Sequence, residues 1–211
     1  MRFSAVIILI IVNVAVFLLQ SQSPEVVEGL FALWPLQRVD PRWHFQLWQI
    51  VTYAFLHDTH NLAHLGFNML GLWVFGTGIE QYVGPRRLLA CYFASVVSAA
   101  LTQLFVPTLF GASLGPTIGA SGGVFGLILA YAVMFPKRKV AVYFLIPMPV
   151  WLFATLYAGI ELYLGVTGTA AGVAHFNSSG LAHGTYIVTA SYGGDSTHAT
   201  SVSAAQTLKV N

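Results

Sequence analysis

The length of its apolar runs constrains this chain more than any other feature. Segments at roughly 4–20, 61–82, 88–108, 118–135 and 141–165 are almost wholly hydrophobic. Each approaches the roughly 20 residues that a helix needs to cross a bilayer. Backbone polar groups inside a bilayer must be satisfied within the segment, so runs of this length fold as helices. Charged residues make up only 8% of the chain and hydrophobic ones 56%, whereas a soluble domain carries about 25% charged residues. The expected fold is therefore an all-α polytopic membrane protein with five spans. A net charge of +2 gives no sign of nucleic-acid binding. The single cysteine, Cys91, has no internal disulfide partner and sits in an apolar run, where it packs.

The opening "MRFSAVIILIIVNVAVFLLQ" is longer than the apolar core of a secretory signal and lacks a clean cleavage site, so it reads as a retained first span. Between the first two spans lies the loop 21–60, with Trp34, Trp43, Phe45, Trp48 and Tyr53. Such residues favour the membrane interface, and the loop is expected there as short helices. Basic residues set the orientation. Arg2, the pair Arg86 and Arg87, and the run Lys137, Arg138 and Lys139 all fall on one side if the N-terminus is cytoplasmic. Arg38 and Arg42 lie in the outer loop, balanced by Glu25, Glu28 and Asp40. The expected location is a bacterial inner membrane, with the lipid bilayer as the protein's surroundings and its oligomeric state open.

Polar residues inside spans are costly and therefore informative. In "TIGASGGVFG", residues 117–126, the pairs Gly119/Gly123 and Gly122/Gly126 have the spacing of a helix-packing face. The same stretch puts Ser121 at a helix start, where backbone amides can hold a developing oxyanion. The two roles are compatible. A second set is "FLHDTHNLAHLGFNML", residues 55–70, with His57, His60, His64 and Asn68. His64 and Asn68 are one helical turn apart and share a face. Three readings stand here: interfacial histidines bonded to the loop, a metal site without supporting carboxylate or cysteine spacing, or an oxyanion site built from the His64 ring and the Asn68 amide. A transporter would want paired charges at mid-membrane, and Glu161 is the one acidic residue deep in the fifth run.

"HLGFNML" followed some fifty residues later by "GASGG" resembles the rhomboid family of intramembrane serine proteases, over most of residues 1–175. The stretch from Leu47 to Leu89, with Glu80, is similar throughout, although Trp48-Gln49 stands where the family often has Trp-Arg. The resemblance implies a six-helix bundle that cleaves transmembrane protein substrates near their outer ends without metal or cofactor. It makes Ser121 the nucleophile, places His64 and Asn68 in the oxyanion hole, and asks for a base histidine on a sixth helix. That helix typically opens Gly-Val-Ala-His-x-Ala-His. Here "GVAH" ends at His175, and the base position falls on Ser178. His175 is the nearest substitute, one turn early; His183 and His198 lie in β-like sequence. The alternative function is a catalytically inactive relative that binds transmembrane clients.

From Phe176 the chain changes character. Alternation around Tyr186–Tyr192, a "GGDS" turn and "AQTLKV" read as strands, and the stretch resembles the end of a bacterial immunoglobulin-like repeat. The expected division is a membrane domain at 1–175, incomplete at its sixth helix, and a β-rich tail at 176–211, two unrelated coding segments joined near 175–177. Without a sixth helix, the glycine face of the fourth span is expected to be open to lipid or to a second copy.

Overall fold

The computed structural model describes residues 4–37, 40–109, 115–142, 146–167, 184–188, 191–192, 201–202 and 206–210. Contacts divide the chain into two units, Met1–Thr155 and Leu156–Asn211.

Helix α1 (Ala5–Gln20) begins where Ser4 caps the Ile7 N–H. It is also capped from outside its own sequence. The Glu80 carboxylate accepts hydrogen bonds from the Ser4 hydroxyl and from the Ala5 and Val6 amides. A negative group on orphan amides at a helix start is favourable both as a cap and against the helix dipole. Glu80→Ala is expected to lower stability by about 2 kcal/mol. A melt in detergent measures this, and an unchanged midpoint would show that water replaces the cap.

The stretch between the first two apolar runs forms α2 (Pro24–Phe31), with proline in its first turn, then the short α3 (Gln49–Thr52) and a 3₁₀ turn at Tyr53–Phe55. Gln49 is fully buried and ties these pieces together. Its Oε1 accepts from the Trp34 and Gln46 amides, and its Nε2 donates to the Leu30 carbonyl. An arginine here would bring donors but no acceptor, so the glutamine holds the loop in a way of its own. Trp34 and Trp48 donate their indole N–H groups to Gly29 and Leu30 carbonyls, and Thr52 donates to Phe31. Arg42 pairs with Glu25 at 2.6 Å.

The second apolar run is one continuous helical segment, Leu62–Val83, in three parts. These are α4 (Leu62–Gly71), a π-helical turn at Leu72–Gly76, and α5 (Thr77–Val83). Asn61 starts it by capping the Ala63 amide, and Gly84 at φ 84° ends it. Helix α6 (Pro85–Leu109) follows at once, with proline at its first position. Leu62–Val83 and Pro85–Val106 are long and apolar enough to cross a membrane; Ala5–Gln20, Ser121–Met134 and Val150–Gly159 are apolar but shorter.

Helix α7 (Ser121–Met134) starts three residues later than the apolar run suggests. Gly119 at φ 126° takes a conformation that excludes it from a helix, so the turn begins only after it. The glycine face of α7 is not open. A Cβ at Gly122 would meet Ala99, one at Gly123 the Tyr92 ring, and one at Gly126 Ser95. All three partners are on α6, so the small residues serve a close α6–α7 crossing, and the expected exposure to lipid is corrected.

The fifth run also differs from expectation. Residues Lys139–Val142 (β1) and Ile146–Pro149 (β2) pair as an antiparallel hairpin, and helix α8 runs only from Val150 to Thr167. Pro147 and Pro149 explain this, because each pushes the residue before it, Ile146 and Met148, out of the helical region. Within Met1–Thr155, the core gathers Val6 and Leu9 of α1, Leu72, Phe75 and Ile79, Leu88, Tyr92 and Val96 of α6, and Leu127 and Ile128 of α7.

In the other unit, β3 (Gly184–Val188) pairs antiparallel with β6 (Gln206–Val210), and β4 (Ser191–Tyr192) with β5 (Ser201–Val202). The "GVAH" segment, His175, Ser178, His183, the turn at 193–196 and His198 lie outside the described residues.

Candidate active site

Ser121 is the first residue of α7 and is exposed. Its approach is held by the stretch between α1 and α4. Leu33 and Thr117 exchange backbone hydrogen bonds at 3.0 and 2.9 Å, and the Gly119 amide donates to the Tyr53 carbonyl at 3.0 Å. Tyr53 contributes twice more. Its hydroxyl donates to the Val96 carbonyl of α6 at 2.9 Å and stands 3.2 Å from where a Gly122 Cβ would be. Burial pushes the Tyr53 phenol up to about 12, so it stays a donor at neutral pH. The loop thus clamps both the turn before the serine and the helix that backs it.

His64 comes from the first turn of α4. Its Nε2 is 2.8 Å from the point a Gly119 Cβ would occupy, and the Ser121 hydroxyl is 3.7 Å from the same point. Ring and hydroxyl therefore face one small space that only a glycine at 119 leaves free. On its other side, His64 Nδ1 accepts the Asp58 amide at 3.3 Å. A neutral imidazole that accepts at Nδ1 carries its proton on Nε2, so His64 presents a donor toward Ser121. Asp58 in turn is shaped by its own turn, its carboxylate accepting from the His60 amide.

Asn68 lies one turn below and is buried. Its Nδ2 donates to the His64 carbonyl at 2.8 Å. One of its two N–H groups is thus spent on its own helix, and the other is what it can offer a ligand. His60 is exposed, whereas His57 is fully buried and packs its ring on that of His64, centroids 5.2 Å apart. No group of three potential metal ligands occurs among the described residues. The structure thus brings Ser121 and His64 to one shared space at the starts of α7 and α4, with Asn68 one turn further along α4. The sequence marks Tyr53 only as an interfacial aromatic and gives Leu33 and Gln20 no part in the site; of these two, Gln20, a polar residue closing an apolar run, carries a local signal.

The family model of the rhomboid domain matches residues 44–192. The chain belongs to the rhomboid family. Rhomboid protein 1, mitochondrial, of Saccharomyces cerevisiae is 37% identical over 101 residues, 47% of this chain and 28% of that protein. Rhomboid protease GlpG of Klebsiella pneumoniae is 29% identical over 130 residues, 62% of this chain and 43% of that protein. Rhomboid protease GluP of Bacillus subtilis is 36% identical over 93 residues, 44% of this chain and 17% of that protein. In each case less than half of the relative's own length is spanned. Family and apolar helices together make this rhomboid an integral membrane protein.

Proposed function

We propose that this rhomboid is an intramembrane serine endopeptidase that cleaves transmembrane protein substrates. The observation that carries the reading is the shared space above Gly119, faced by the Ser121 hydroxyl and by the protonated nitrogen of His64. In the proposed reaction the Ser121 oxygen attacks a substrate carbonyl carbon and passes its proton to a histidine base, for which His175 is the candidate. His64 Nε2–H and the second Asn68 N–H hold the oxyanion, with the first amides of α7 beside them. Collapse breaks the peptide bond, the base returns the proton to the departing amine, and water hydrolyses the acyl-enzyme. The reaction calls for no metal and no cofactor.

The same reading takes the five apolar helical runs as spans, with the N-terminus cytoplasmic in a bacterial inner membrane. It takes 1–175 as the membrane domain and 176–211 as a β-rich tail, although the family match runs on past that boundary to residue 192. One observation favours a second reading, an inactive relative that binds transmembrane clients: Ser178 stands where the family's base falls.

A fluorophosphonate probe separates the two. The protease is expected to be labelled at Ser121, with labelling abolished by Ser121→Ala and slowed roughly 10²–10⁴-fold by His175→Ala. A chain that takes no label is the binder.

A further inference from the structure

We infer that Gln20 is a positioning residue for His64: its side-chain amide fixes the His57–Asp58 backbone, and the Asp58 N–H then locks His64 in the Nε2–H tautomer that faces Ser121. Gln20 is the last residue of α1 and is fully buried. Its Nε2 donates to Glu28 Oε1 at 2.8 Å, and its Oε1 accepts the His57 amide at 3.0 Å. Those two partners leave no freedom in which end of the amide is which. A carboxylate only accepts and a backbone N–H only donates, so both ends of Gln20 are fixed by what they touch.

The consequence passes along the chain by one residue. With the His57 peptide tethered, the next amide, that of Asp58, points at His64 Nδ1. That contact excludes a proton from Nδ1 and leaves it on Nε2, the atom beside the Gly119 space. The His57 ring closes the flank. It is fully buried against the His64 ring, and neither of its nitrogens hydrogen-bonds that ring. The Asp58 amide is therefore the partner that His64 Nδ1 has. A buried polar side chain at the end of an apolar helix is expensive unless each of its atoms is used. Here they are used on the one loop that sets the chemistry of His64. The contact that carries the coupling is not local in sequence, for Gln20 at the end of α1 reaches His57, 37 residues on.

The inference rests on reading His64 as a donor toward Ser121, and its readout does not require proteolysis. The test is nitrogen-15 NMR of the full chain in detergent with labelled histidine, the His64 signals assigned against His64→Ala. The wild type is expected to show His64 protonated at Nε2 and bare at Nδ1. Gln20→Met keeps size but removes both hydrogen bonds. It is expected to populate the Nδ1–H tautomer measurably and to slow fluorophosphonate labelling roughly tenfold. Glu28→Leu frees only the far end of the amide and is expected to give a smaller population of the same tautomer; it serves as the second variant if Gln20→Met does not fold. Glu28→Gln, which still accepts through its amide oxygen, is expected to behave as wild type. A wild-type His64 protonated at Nδ1 overturns the inference. So does a folded Gln20→Met, or Glu28→Leu in its place, that leaves the tautomer unchanged. A tautomer that shifts as expected in a chain whose Ser121 never labels refutes the protease reading and leaves the positioning role standing.

Discussion

On the proposed mechanism, His64→Ala is expected to lower the rate of Ser121 acylation by roughly 10²–10³-fold, the usual effect of removing one oxyanion donor. His64 is the donor whose geometry is most tightly specified. Its Nδ1 is occupied by the Asp58 amide, its Nε2 faces the Gly119 space, and it is half-buried, so water replaces it poorly. Asn68 should matter less. One of its N–H groups already serves the His64 carbonyl, and Asn68→Ala removes that support together with the free donor. The measurement is the fluorophosphonate labelling rate of purified His64→Ala, with the melting temperature taken alongside. If labelling falls by less than about threefold in a folded variant, the oxyanion must be held by the α7 amides alone, and His64 loses its assigned part. His64→Gln is the companion variant, because a glutamine N–H can reach the same space and should recover part of the loss.

Acid is expected to destabilise this protein through His57. Burial pushes its imidazole down from 6.5 to about 4, and the neighbouring His64 pushes in the same direction; a contact with the Phe55 backbone opposes them. The sign follows directly. Below pH 6.5 the unfolded chain takes up a proton at this histidine, and the folded chain does not until about pH 4. The stability from keeping His57 neutral is complete above pH 6.5. It is lost as the pH falls through the window from 6.5 to 4, and the loss reaches on the order of 3 kcal/mol at the lower end. Melting temperatures taken between pH 7.5 and pH 4 for the wild type and for His57→Leu check this. The wild-type curve is expected to fall across that window and the variant's to be flatter. Parallel curves would mean that another group carries the acid sensitivity.

Much of the site was legible because its signals are local. A serine among glycines opening an apolar helix, and a histidine four residues before an asparagine, can be recognised from spacing alone, and both lie where the structure has α7 and α4 begin. The apolar runs were legible for the same reason. The boundaries were not. Hydrophobicity does not distinguish the strands at 139–142 and 146–149 from the helix that follows them; Pro147 and Pro149 do, by excluding Ile146 and Met148 from helical geometry. The glycine face of α7 was visible as a pattern, but its partner was not. The pattern says only that some backbone or side chain comes close, and the structure gives Ala99, Tyr92 and Ser95 of α6.

The sequence by itself determined that this is a membrane protein of the rhomboid family with Ser121 and His64 at two helix starts and Asn68 one turn on from His64. Long apolar runs and short-range polar spacings suffice for that, because each acts within a few turns of one helix. Only the tertiary structure decided which tautomer His64 presents, which loop holds the turn before Ser121, and why Gln20, Gln49 and Tyr53 are buried where they are. Those outcomes depend on hydrogen bonds between residues far apart in the chain, such as Gln20 with His57, Gly119 with Tyr53 and Trp34 with Gln49. A bond of that kind forms only after packing has brought its partners together in a place without water, and no stretch of sequence carries both ends of it.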